Sequence, residues 1–410
     1  MVLIFGTGLA QLIPMALQPI IRRLFTDEDF GLFAQYYFIV AILSVMASLR
    51  YEVSIVIPKE EKSGIALLAG AIFINSATSI FFFIILFFFG LQIYDALGFS
   101  RLLFEYTWIM PISIFLLATN TAFNYWLTRK KMFKGLVYNK AVRRGSEGAA
   151  RLGLGYAGKT SGLIIGSIIG DLINLIMFLF QFFRSGGSFK GVDKKQIKTA
   201  LKEQEEFPKY ALLPAMLNVI TTHLPIFLLS SLYTKAIVGQ FDASRELLAV
   251  PLALVSISIS QVLFQKIVED VANGRRISRL MRNNGLVLGG LGVIGILIFM
   301  NFGVPIFTFL FGDTWVLAGQ LSAVLVISYA IRFVVSPLSI IFSALKKLKI
   351  GAYWQVGYFL LMLNLLFFRD LSVEDFLWVF VLFDVFAYLV YAVMIWYIAK
   401  KQDDLILTND

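Results

Sequence analysis

IALLAGAIFINSATSIFFFIILFFFGL, residues 65–91, carries no charged side chain and includes the triplets Phe81-Phe82-Phe83 and Phe87-Phe88-Phe89. A helix that crosses a bilayer needs about 20 consecutive, mostly apolar residues, and a helix buried in a soluble core has no need of this length. Residues 285–312 repeat the pattern. The rest of the chain agrees: 59% of its 410 residues are hydrophobic and 15% are charged, against roughly 45–50% and about 25% in soluble domains. The fold class is therefore all-α, a polytopic membrane protein. Helices are expected near 2–21, 31–57, 64–91, 106–127, 137–157, 161–183, 209–232, 239–264, 285–311, 315–343, 350–368 and 374–398, about twelve in all.

Composition also excludes chemistry. Cysteine is absent, so a disulfide framework and a thiolate metal site are ruled out; the single histidine argues against imidazole metal sites and Ser-His hydrolases, and no metal or other cofactor is expected. No cleavable signal is evident, because the first apolar stretch lacks a basic leader. The net charge of +10 reflects topology rather than nucleic-acid binding. With the N-terminus in the cytoplasm, the inner loops and tail hold 23 of the 36 Lys and Arg residues. The outer loops hold six: Arg22, Arg23, Arg101, Lys159, Lys235 and Arg369. The positive-inside rule thus predicts both termini in the cytoplasm.

The longest inner connection, 184–208, opens on glycines and continues as a Lys/Glu-rich stretch that reads as an amphipathic surface helix. It divides the chain into an expected six-helix lobe over 1–183, this linker, a second lobe over 209–400 and a cytoplasmic tail over 401–410. Leu24-Phe25-Thr26 with Gly31-x-Phe33 recurs as Leu232-Tyr233-Thr234 with Gly239-x-Phe241, at a constant offset of 208. Six helices per half make the repeats parallel, with an axis along the membrane normal. Pro14 and Pro19 in the first helix, and Pro214 and Pro225 in the seventh, are matching candidates for bends.

The charges inside the expected helices carry most of the functional signal. Lys140, Arg143, Arg144, Glu147 and Arg151 fall within about a 100° arc of one helical face. Each Arg or Lys at mid-membrane costs roughly 2.5–3.5 kcal/mol, so facing lipid the stripe costs on the order of 10 kcal/mol. It is expected to face a wet cavity or polar partners, while Gly145, Gly148, Gly153 and Gly155 permit close packing elsewhere around the helix. Arg245 and Arg332 extend the basic set, and Arg50, Glu52, Glu147 and Glu246 are candidates for ion pairs or gating. Two readings compete: a cationic lumen for an anionic substrate, or internal salt bridges that hold the bundle. Asp171 and Asp384, each in the last helix of its half, are candidates for proton or sodium coupling, as, more weakly, is His223; hydrogen bonding to polar neighbours is the alternative.

The runs Gly6-Thr7-Gly8-Leu9-Ala10-Gln11, Pro19-Ile20-Ile21-Arg22-Arg23-Leu24-Phe25-Thr26 and Phe30-Gly31 resemble the opening of bacterial Wzx-type O-antigen and repeat-unit flippases. Those proteins form the polysaccharide transport branch of the multidrug/oligosaccharidyl-lipid/polysaccharide (MOP) superfamily. Arg50-Tyr51-Glu52-Val53-Ser54-Ile55-Val56-Ile57-Pro58-Lys59 resembles the end of their second helix. Pro251-Leu252-Ala253-Leu254 and Ser260-Gln261-Val262-Leu263-Phe264-Gln265-Lys266 resemble their eighth. The resemblance implies two six-helix lobes around a central cationic cavity. It implies an undecaprenyl-diphosphate-linked oligosaccharide substrate, moved from the cytoplasmic to the periplasmic leaflet of the inner membrane for surface polysaccharide biosynthesis. Partners would be the lipid bilayer and the polymerase and chain-length proteins of such a pathway, with no nucleic acid. One departure is that members usually begin with a short cytoplasmic segment, whereas Met1 here nearly starts the first helix.

A cation-coupled drug exporter of the same superfamily is the chief rival, but cationic drugs call for an acidic cavity. A lipid II flippase usually carries two further helices. A polysaccharide polymerase or ligase would need a large outer loop with catalytic residues, and the longest here runs only from Gln92 to Glu105. The chain is therefore expected not to be an enzyme.

Overall fold

The computed structural model describes residues 2–408, and among them there is no strand. Twelve long helices follow the expected order. They are α1 Val2–Leu24, α2 Asp27–Ala47, α3 Glu61–Ala96, α4 Met110–Arg129, α5 Phe133–Tyr156 and α6 Gly162–Arg184, then α7 Leu212–Leu232, α8 Lys235–Ala272, α9 Ser278–Phe311, α10 Val316–Leu338, α11 Leu348–Leu363 and α12 Val373–Thr408. Nine helical stretches among the described residues are long and apolar enough to cross a membrane. The other three long helices, α1, α4 and α5, have 23, 20 and 24 residues, and α5 owes its low apolarity to the charged stripe. The exposed rings of Phe73, Phe81, Phe87, Phe88 and Phe89 on α3 suit a helix surrounded by hydrocarbon.

Local chemistry sets the boundaries. Thr26 and Asp29 form a capping box at the start of α2: the Asp29 amide donates to Thr26 Oγ1 at 3.2 Å and the Thr26 amide to Asp29 Oδ2 at 3.0 Å, satisfying two otherwise orphaned donors. Thr234 does the corresponding work for α8, accepting from the Ile237 amide at 3.4 Å. The offset of 208 thus covers more than residue types: α1 and α7 end at Leu24 and Leu232, and α2 and α8 begin at Asp27 and Lys235. The two helix starts also pack on each other reciprocally. A Cβ at Gly31 would fall on the Lys235 carbonyl, and a Cβ at Gly239 on the Asp27 carbonyl, so both positions need glycine for the backbones to come this close.

Several expectations on boundaries are corrected. The helix expected over 31–57 is not continuous. It stops at Ala47, and Leu49 and Arg50 take left-handed conformations (φ 48° and 63°) before a single turn, Tyr51–Ser54. Non-glycine residues there carry strain. Arg22 and Lys235, expected in loops, lie in the last turn of α1 and the first turn of α8. Pro14 and Pro19 sit inside α1 and Pro225 inside α7, and Pro214 lies in the first turn of α7, just after the π-helical turn Phe207–Ala211 that runs into it. Pro251, Pro305 and Pro337 lie inside α8, α9 and α10. Residues 401–408, expected as a tail, continue α12. Asp403 holds them there, its carboxylate accepting from the Ile277 and Ser278 amides at 2.7 and 3.2 Å at the start of α9.

Two compact units can be described, Met1–Gly239 and Gln240–Asp410. In the first, α7 packs on α2, where Phe227 stacks on Phe38 with ring centroids 5.6 Å apart. The connection itself is docked. Its helix Lys194–Glu203, capped by Asp193, buries Ala200 and packs Leu201 against Gly70 of α3. In the first unit, Arg129 at the end of α4 clamps the chain between the Tyr51–Ser54 turn and α3, donating to the carbonyls of Ile55, Pro58, Lys59 and Glu60. In the second unit, Gly303 of α9 meets Gly319 of α10 so closely that a Cβ would come within 2.8 Å of a backbone oxygen, the small-residue packing common between membrane helices.

Candidate functional site

In the first unit the charged face of α5 is brought against α6 by a glycine stripe. Gly162, Gly166 and Gly170 recur every fourth residue, on one side of the helix. A Cβ at Gly166 would lie 2.5 Å from Arg151 Cγ, and one at Gly170 would lie 2.8 Å from Glu147 Cβ and 3.1 Å from the Arg143 carbonyl. The approach delivers Asp171, the next residue, to Arg143, whose Nε donates to Oδ1 at 2.5 Å. Gly148 and Gly155, on another face of α5, meet Leu17 and Leu24 of α1, while Gly145 and Gly153 have open space beside them.

Glu147 is buried and shared by two guanidiniums, Arg144 at 3.0 Å and Arg151 at 2.7 Å. Arg151 is itself buried, its guanidinium 4.7 Å over the ring of Phe33. Arg144 is 40% exposed and Arg151 10%, so Arg144 is the one an incoming ligand can reach first. The cluster holds four basic side chains (Lys140, Arg143, Arg144 and Arg151) and two acidic ones (Glu147 and Asp171). Lys140, Arg143 and Asp171 also line a cavity of about 160 Å3 together with Asn120, Asn124, Asn139 and Asn174. Asn120 donates to the Asp171 carbonyl at 3.0 Å.

The other sequence-derived candidates have partners of their own. Arg50 pairs with the buried Glu52 at 3.0 Å across the break after α2. His223 of α7 packs between the rings of Tyr37 and Phe38, at 6.1 and 6.3 Å. In the second unit, Arg245 donates to Asp242 at 2.7 Å, with Glu246 beside it in sequence. Asp384 is completely buried and accepts from Arg332 Nε at 2.7 Å and Nη2 at 2.6 Å, from the Tyr358 hydroxyl at 2.7 Å, and from Ser328. A buried carboxylate is tolerated only with such pairing. Each half therefore fastens its last helix through a buried Asp held by a half-buried Arg, Arg143–Asp171 on α6 and Arg332–Asp384 on α12.

Three features escaped the sequence reading. Asp242 lies inside an expected helix and raises the intramembrane acids to six against seven bases. Arg22, counted with an outer loop, is 1% exposed with its guanidinium 4.1 Å over Phe30. The asparagines of the small cavity come from three helices, and only the i, i+4 spacing of Asn120 and Asn124 signals them in sequence.

Long apolar helices among the described residues, with basic side chains buried or half-buried between them in each unit, define a polytopic membrane protein. Known structures share the fold. An inward-facing multidrug resistance MATE family transporter of the MOP superfamily matches with a TM-score of 0.73 at 13% identity, over 98% of this chain and 99% of its own. The lipid II flippase MurJ, in an inward closed conformation, matches with 0.73 at 14% identity, over 98% and 91%. A MOP superfamily transporter from Pyrococcus furiosus matches with 0.62 at 13% identity, over 98% and 96%. At these identities the likeness establishes the fold. None of the curated proteins matches the chain. The sequence is more specific: the polysaccharide biosynthesis protein family matches residues 20–319, and the chain belongs to that family.

Proposed function

We propose that the chain is a Wzx-like flippase that moves undecaprenyl-diphosphate-linked oligosaccharides from the cytoplasmic to the outer leaflet of a bacterial inner membrane. The observation that carries this reading is the α5 cluster, four basic side chains against two acidic ones. A surplus of two positive charges inside a membrane protein attracts a diphosphate and repels a cationic drug. Membership of a polysaccharide biosynthesis family supports the same substrate class over the drug-exporter alternative.

The diphosphate would meet Arg144 first, then Lys140, Arg143 and Arg151. The polyprenyl chain would remain in lipid, and alternating access of two lobes, 1–183 and 209–400, would release the head group outside. Both termini would be cytoplasmic, as the distribution of Lys and Arg in the loops requires. Arg50, Glu52 and Glu246 would act as ion-pair or gating groups, and Pro14, Pro19, Pro214 and Pro225 as bends. Asp171 and Asp384 serve first as partners of arginines, so coupling to a proton or sodium gradient through either requires breaking its pair. His223 is the remaining coupling candidate. Polymerase and chain-length proteins would take up the product.

The experiment is transport of a fluorescent undecaprenyl-diphosphate sugar in proteoliposomes with Arg144→Gln and the double variant Arg143→Gln/Arg144→Gln. Loss of flipping at normal protein levels supports the reading. Undiminished flipping in the double variant sinks the role of the charge.

A further inference from the structure

Within the second unit, α8, α10 and α12 enclose a cavity of about 480 Å3, well inside the roughly 300–1,000 Å3 of small-molecule sites. Its chemistry differs from that of the α5 cluster. Tyr329 and Tyr388 present aromatic rings, and Ser256, Ser260, Gln261 and Ser336 present hydroxyls and a carboxamide. Arg332 reaches the wall with its charge already balanced, because Asp384 takes both Nε and Nη2. Its guanidinium lies 5.5 and 5.4 Å from the Tyr329 and Tyr388 ring centroids. Behind this wall Tyr358 donates to Asp384 and stacks on Trp354 at 5.2 Å, which fixes the set in place.

An ion-paired guanidinium gives a second diphosphate little to gain. A sugar ring has what these walls complement. Its C–H face is apolar and lies flat on an aromatic ring, while its hydroxyls donate and accept in turn. Serine and glutamine side chains do both, and tyrosine joins an apolar face to a polar tip. We propose that this cavity binds an uncharged sugar ring of the lipid-linked substrate against Tyr329 and Tyr388. The assignment rests on the flippase reading. Arg332 then acts as a positioning residue that orders the tyrosines.

The test is calorimetric titration of the purified full-length protein in detergent with five probes. One is farnesyl diphosphate; the others carry glucose, galactose, N-acetylglucosamine or N-acetylgalactosamine on the diphosphate. The expected result is that at least one sugar probe binds tenfold or more tightly than farnesyl diphosphate. Tyr388→Leu and Gln261→Ala then erase that preference while keeping wild-type affinity for farnesyl diphosphate, which also shows that they are folded. Arg144→Gln weakens all probes together. A sugar preference that survives both cavity variants, or no preference for any sugar in the wild type, overturns the proposal and leaves the flippase reading standing. Failure of the wild type to bind any of the five probes removes the flippase reading, and the sugar site with it.

Discussion

Asp384→Asn separates the two roles open to that residue, because it removes the charge and keeps the shape. Asp384 is fully buried and carries the two bonds from Arg332, one from Tyr358 and one from Ser328. Removing one partner of a buried ion pair costs roughly 3–5 kcal/mol, since the other charge is left uncompensated. Arg332 retains 27% side-chain exposure, and water reaching it recovers part of that loss, so the expected cost is near the lower end, about 3 kcal/mol. Equilibrium unfolding in mixed micelles, followed by tryptophan fluorescence, measures it. Replacing both partners removes the stranded charge as well, so Arg332→Gln/Asp384→Asn should be more stable than Asp384→Asn alone. The cycle should return a coupling energy of about 2 kcal/mol, within the range for residues in direct contact. If Asp384→Asn unfolds within about 0.5 kcal/mol of wild type and the double variant is additive, the pair is not a structural lock. An Asp384→Asn protein that is stable but unable to transport would mark the residue as a coupling group.

Gly31→Ala and Gly239→Ala should each destabilise the protein by about 1–3 kcal/mol in the same unfolding assay, since each new Cβ meets a backbone carbonyl that cannot rotate away; wild-type stability in both would remove the reciprocal contact. Gly166→Val should push α5 from α6 and break the Arg143–Asp171 bond, seen as loss of a disulfide crosslink engineered between the two helices; an unchanged crosslinking yield would contradict it. Arg129→Ala removes the donor to four carbonyls and should cost roughly 1.5–3 kcal/mol, with faster proteolytic cleavage between residues 55 and 60. An unaltered cleavage rate would show that the segment holds itself.

How much of this was legible in the sequence depends on the range of the interactions involved. Hydrophobic runs mark nine of the long helices among the described residues, because membrane insertion is dictated by composition over about 20 residues. The α5 stripe is equally visible, since five charges at helical spacing lie on one face wherever that face points. Its partner was less so. Asp171 read as an isolated acid, although Gly162, Gly166 and Gly170 just before it are the signal that a neighbouring helix comes close there. Asp384 gave no such sign: its bonds to Ser328, Arg332 and Tyr358 span 56, 52 and 26 residues. The break at Leu49 and Arg50 was hidden because neither residue is a glycine or proline that marks a turn, and left-handed backbone there does not follow from residue type. The offset of 208 carried further in structure than in sequence, since it fixes helix ends and caps that differ in identity, Asp29 against Ile237.

The most direct test of the central claim is the lipid-linked oligosaccharide pool of a strain lacking this chain and any redundant flippase, compared with the same strain re-expressing it. The account predicts that undecaprenyl-linked repeat units accumulate on the cytoplasmic leaflet and surface polymer is lost, both restored by wild type and neither by Arg143→Gln/Arg144→Gln. An unchanged pool with surface polymer intact would contradict it.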